Sequence, residues 1–150
     1  MNYEDAFSRM AALCSVSEHC ESEIREKLQK AAMPAYDIQR LIDALYDGGF
    51  LDTARYCRAF SRDKLRFAHW GRIKIQQALR MKGLPDGDIR QALRALDEEL
   101  GEDYLRILRE TLKQKDQALH DEDDYTRRGK LIRFAAGRGF TLDEILGQLS

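Results

Sequence analysis

Apolar residues recur at three- and four-residue intervals along most of this chain, which is the helical period. Tyr3, Phe7, Met10, Ala11 and Cys14 make the first such stripe. Residues 15–17 interrupt it, and a second helix is expected over 18–32 with Ile24, Leu28 and Ala31 on its apolar line. Pro34 ends that helix, because its ring would clash with the preceding turn. Ile38, Leu41, Ile42 and Leu45 mark a third helix over 35–46, closed by Gly48-Gly49. Asp52 stands where it can cap a fourth helix running to about Arg66, with Tyr56, Cys57, Phe60 and Leu65 facing inward. A fifth is expected over 71–83 on Ile75, Ala78 and Leu79, and a sixth from Pro85 through Ile89, Ala92, Leu93 and Leu96. Tyr104, Leu105, Leu108 and Leu112 predict a seventh helix over 99–115. An acidic loop at 121–124 then leads to an eighth helix over 124–137, capped by Asp124, and a ninth over 141–149.

The pattern repeats. Displaced by 51 residues, Ile24, Leu28, Pro34, Ile38 and Leu45 fall on Ile75, Leu79, Pro85, Ile89 and Leu96. Displaced by 56, Gly83, Leu84 and Ile89 fall on Gly139, Phe140 and Ile145. Self-similarity at such a period marks stacked repeats. The expected fold is therefore all-α, with three tandem three-helix repeats forming an elongated, curved array. The units span 1–50, 51–98 and 99–150, with breaks near 49–52 and 97–101. Each is too small to bury its apolar face alone, so neighbours must stack or share helices.

Composition narrows the class further. Among 150 residues there are only 2 Pro and 10 Gly, which suits helix almost throughout. No run of about 18 apolar residues exists, so no membrane span is expected. The opening MNYEDAFSRM lacks the apolar stretch of a signal peptide. Cys14, Cys20 and Cys57 have no metal-ligand spacing and read as reduced thiols of a cytoplasmic protein. His19, His69 and His120 are isolated and read as surface residues.

Charge is unevenly distributed. Net values are −4 over 1–51, +7 over 52–82, −7 over 83–126 and +3 over 127–150. The positive block holds Arg55, Arg58, Arg62, Lys64, Arg66, Arg72, Lys74, Arg80 and Lys82. Arg55, Arg58 and Arg62 share one helical face by their i, i+3, i+7 spacing. Such a block suits phosphates or an acidic protein surface, and equally a solvated face that keeps the chain soluble. Trp70 lies inside it between two helices, where it can stack on a partner or plug a helix corner. The acids at 121–124 lack EF-hand spacing and read as a solvated loop. No phosphate-binding loop, nucleophile elbow or zinc-protease motif is present. A binding module without cofactor or metal is expected in preference to an enzyme.

The run Gly49-Phe50-Leu51-Asp52, then Tyr56 and Phe60, then Gly71, Lys74-Ile75, Leu79 and Lys82-Gly83-Leu84, resembles the RecX recombinase regulators. Arg138-Gly139-Phe140 with Ile145 is similar to that family's third unit, and Ser17-Glu18, Ser22-Glu23 and Lys27-Leu28 to its first. Thr53, Arg72, Lys74 and Ala78 stand where the family commonly has a second Asp, Pro, Arg and Glu. The resemblance implies a cytoplasmic, non-catalytic protein that binds the RecA recombinase, especially its filament on single-stranded DNA. It implies inhibition of RecA's ATPase, strand-exchange and co-protease activities. The expected contact residues are Arg55, Arg58, Arg62, Lys64, Arg66, Trp70, Arg72, Lys74, Arg80 and Lys82, with weak direct DNA binding and a monomeric state. The other reading of the same patch is a stand-alone DNA-binding helical module.

Overall fold

The computed structural model describes residues 2–120 and 123–149. Among these the secondary structure is eight helices and no strand: α1 Tyr3–Val16, α2 Glu21–Lys30, α3 Ala35–Asp47, α4 Thr53–Arg66, α5 Arg72–Met81, α6 Asp86–Ala118, α7 Asp124–Gly137 and α8 Leu142–Leu149. The expected sixth and seventh helices are one. In place of a turn near 97–101 stands a kink at Leu100, with φ −130° and ψ 22°. The reason is local. Glu98 and Glu99 are good helix formers, a lone Gly101 costs only about 1 kcal/mol, and Leu100 is buried.

Helix starts differ from expectation at α2 and α7. α2 begins at Glu21, because Cys20 is extended and its N–H donates to the Glu23 carboxylate at 2.9 Å. α7 is capped by Asp123, whose carboxylate accepts from the Thr126 N–H at 2.7 Å, and Asp124 is its first residue. Of the predicted acidic loop, Asp121 and Glu122 lie outside the described residues. Asp52 caps α4 as expected, accepting from the Arg55 N–H at 2.9 Å. Two inward assignments fail. Ala31 is exposed because α2 has already ended, and Leu105 is exposed while Ile107 takes the buried place beside Leu108.

The internal repeat is visible in the backbone. Ala32, Gly83 and Gly139 all take left-handed conformations, with φ of 59°, 83° and 99°. Behind each, the following N–H reaches back five residues: Met33 to Leu28 O at 3.1 Å, Leu84 to Leu79 O at 3.2 Å, Phe140 to Ala135 O at 3.3 Å. One helix-ending motif thus recurs at the displacements seen in the sequence, and Gly49, with Phe50 N–H reaching Leu45 O at 2.9 Å, uses it again after α3. Ala32 adopts without glycine's freedom a conformation that the other copies reach with it.

The chain buries two cores. Ala6, Ile24, Leu28, Ile38, Leu41, Ile42, Leu45 and Leu51 belong to the first, formed within the first repeat. The second runs unbroken from Cys57, Leu65 and Ile75 through Ile89 to Leu108, Ala135, Phe140 and Ile145. Its spine is α6, against which α4, α5, α7 and α8 all pack. A backbone contact fastens the two ends of this core. Gly71 N–H donates to Arg138 O at 2.7 Å and Ile73 N–H to Gly139 O at 3.0 Å, so the turn before α8 caps the start of α5. The accessible surface is 8972 Å². A compact monomer of 17.4 kDa would expose about 7,900 Å², so the array is more open than a sphere.

Candidate partner-binding surface

α4 and α5 carry the basic block, and the fold sorts its members by what holds them. Arg55 is tied down. Its Nε donates to Glu18 and its Nη2 to Gly49 O at 3.0 Å, reaching back across the junction with the first repeat. Glu18's hydrogen bond raises the Arg55 pKa further, so its charge is permanent. Arg72 is tied down more firmly. It forks onto Asp97 at 3.0 and 3.1 Å and reaches Glu144 at 3.1 Å, while its N–H donates to the Tyr104 hydroxyl at 3.0 Å. It therefore joins α5, α6 and α8 from the start of α5.

Three more cations meet acids loosely. Arg62 lies 3.9 Å from Glu99, Arg80 3.6 Å from Asp86 and Lys82 3.7 Å from Glu23. Arg58 and Arg66 have no acidic partner among the described residues, and Arg66 is exposed.

Lys64, Lys74 and Trp70 come together. Trp70 is half-buried against the second core, edge-on to Phe60 at 6.3 Å between centroids. The Lys64 and Lys74 ammonium groups each stand 4.7 Å from the centre of its ring. Lys64 also lies 5.4 Å from Phe60, and Lys82 5.9 Å. The indole thus plugs the corner between α4 and α5 and at the same time carries two cations over its ring. His69, in the left-handed region at φ 56°, lets the chain turn tightly enough for the Trp70 N–H to donate back to Lys64 O at 3.0 Å.

Beside this cluster lies a cleft of about 660 Å³, walled by Glu18 and Glu23 of the first repeat and by Tyr56, Phe60, Phe67 and Lys82. Burial pushes the Glu23 carboxyl up. Hydrogen bonds from Cys20, with Lys82 nearby, outweigh it and leave the group below its ordinary range, so it is ionised at neutral pH. Phe67 is 80% exposed at the end of α4, an apolar ring beside Arg66. Neither Phe67 nor the two glutamates is among the expected contact residues. Phe67 lies off the apolar stripe of α4, which is a usable signal, while the glutamates look like ordinary helix-surface acids. Of the thiols, that of Cys20 bears on the cleft through its hydrogen bond to Glu23. Cys14, Cys20 and Cys57 are all buried, and burial pushes the Cys57 thiol up to about 11.

Comparison with known proteins identifies the family. The model of the RecX second three-helix domain matches residues 52–93, and that of the RecX third three-helix domain matches 102–146. The chain belongs to the RecX family. The two matches leave the Leu100 kink between them. A Regulatory protein RecX from Ectopseudomonas mendocina is 38% identical over 128 residues, covering 85% of this chain and 81% of that protein. One from Prosthecochloris aestuarii is 30% identical over 148 residues, covering 94% and 93%. A crystal structure of RecX from Lactobacillus salivarius superposes with a TM-score of 0.80 at 16% identity, covering 98% of this chain and 94% of that one. A second crystal structure of regulatory protein RecX gives 0.84 at 21% identity, covering 97% and 70%. At these identities the RecX structures speak to the fold, an all-α repeat array. Among the described residues no helix is long and apolar enough to cross a membrane.

Proposed function

We propose that this RecX-family chain binds the RecA recombinase and its filament on single-stranded DNA. On this reading it restrains RecA's ATPase, strand-exchange and co-protease activities by binding, without catalysis, and acts as a cytoplasmic monomer. The observation that carries the reading is the family match over the second and third repeats. The surface supports it. Lys64, Lys74 and Trp70 offer cations over an aromatic ring, and Arg58 and Arg66 stand without acidic partners among the described residues. Arg62 and Arg80 are held only by long, exposed pairs, worth about 0–1 kcal/mol, and exchange readily for a partner's anions. Arg55 and Arg72 serve first as internal ties. The test is DNA-dependent ATP hydrolysis by RecA with added purified protein. Near-equimolar protein lowers the rate, and an unchanged rate overturns the proposal.

The net charge of +7 over 52–82 favours a second reading, a stand-alone DNA-binding module using the same patch. Gel shifts without RecA separate the two. Strong, steeply salt-dependent binding supports the second.

A further inference from the structure

Two cations of the basic block are bonded to acids of the first repeat. Arg55 meets Glu18 and Lys82 meets Glu23, across the cleft between the first and second repeats. The Tyr56 hydroxyl also meets Cys20 and Glu23 there, and little else crosses that junction. Among the described residues, no helix of α1–α3 packs broadly along any of α4–α8, and the two cores are separate. Cys20 is the residue of the first repeat that is buried in the second core. The chain itself crosses once, through residues 48–52, where Gly49 has φ +75° and open space around it. Glu18 is imperfectly satisfied in this arrangement: its Oε1 is buried without a hydrogen-bond partner, which weakens the closed contact. Part-exposed pairs of this kind are weak and fall with salt.

Both carboxylates therefore sit on cations that a partner's anionic oxygens could take, beside Lys64 and above Phe60. We propose that Glu18 and Glu23 stand in for the phosphodiester groups of a single strand, and that a bound strand takes Arg55 and Lys82 from them and frees the first repeat to swing about residues 48–52. This rests on the reading of the basic middle repeat as a contact for a nucleoprotein filament.

The experiment is solution X-ray scattering and oligonucleotide affinity for the full chain and for E18Q/E23Q. Glutamine at 23 keeps the acceptor that the Cys20 N–H requires, so α2 persists and the circular dichroism is unchanged. The wild type alone has the smaller radius of gyration, and oligodeoxythymidylate enlarges it. The variant has the larger radius without ligand and binds the oligonucleotide roughly five- to tenfold tighter, the factor set by removing the competing contact. Raising salt to about 1 M enlarges the wild type with no substitution at all. Equal radii for both proteins at every salt concentration overturn the latch, as does oligonucleotide binding that leaves the wild-type radius unchanged. An enlarged variant with no oligonucleotide binding by either protein keeps the latch and overturns the polyanion reading of the patch.

Discussion

Arg72 meets two carboxylates and a phenol through one side chain and its own N–H. In the sequence it is one more cation in a basic run, and only the fold reveals that its partners lie 25 and 72 residues away. Burial alone would lower its pKa, but Tyr104, Asp97 and Glu144 together raise it, so it never loses its proton. Arg72→Ala leaves Glu144 without its guanidinium and lowers stability by about 1–3 kcal/mol in urea unfolding. Arg72→Lys recovers less than half of that, because an ammonium cannot make the fork to Asp97. Arg66→Ala, by contrast, stays within about 0.5 kcal/mol of wild type, and on the proposed function it weakens the effect on DNA-dependent ATP hydrolysis by RecA.

The same cluster sets an alkaline limit. Burial, with Glu144 adding to it, pushes the Tyr104 hydroxyl up to about 12, against the Arg72 contacts that lower it. The folded state therefore holds this proton after the unfolded chain has lost it at about pH 10. Stability falls as pH rises from there to about 12, where the folded phenol also ionises. Tyr104→Phe removes that share of the slope, and thermal melts across the interval measure it.

At the scale of elements, the two glycine contacts distinguish space from conformation. A Cβ on Gly139 would stand 2.5 Å from Lys74 Cβ, and one on Gly71 2.5 Å from the Gly139 carbonyl. Gly139→Ala and Gly71→Ala each part the α5 start from the turn before α8 and cost about 3 kcal/mol or more. Gly83→Ala meets open space and pays only for its positive φ, about 1 kcal/mol. Differential scanning calorimetry of the three orders them.

Most helices are legible from period alone, as are the Asp52 cap and the repeat, because each depends on neighbours within a turn or two. The Cys20 cap is hidden because a thiol is not a usual capping group, and its signal lies in Glu23 three residues on. The Leu100 kink is hidden because its acidic, glycine-containing surroundings resemble a break. The site is legible as a stretch and illegible as a surface. Which of its nine cations are held by Glu18, Asp97 or Glu144 is decided by contacts between residues far apart in the chain.

For the whole molecule, two cores mean two stabilities. Ile42→Ala removes about 2–5 kcal/mol from the first repeat, and hydrogen exchange quickens in α1–α3 while α4–α8 hold. Leu108→Ala, on the spine of the second core, quickens exchange in α4, α5, α7 and α8 together. A spread of the Ile42→Ala effect into α8 would show that the cores are one cooperative unit.

The shared α6 also bears on the order in which a growing chain can fold. The first repeat has its whole core by Leu51 and can close while the rest is still being made. The second repeat cannot, because its core needs Phe140 and Ile145, which are made only after all of α6 and α7. Ribosomes stalled with residue 118 outside the exit tunnel should carry a protease-resistant first repeat and a digestible α4–α6, and full release should protect both. The basic surface then takes shape only once the third repeat has been made.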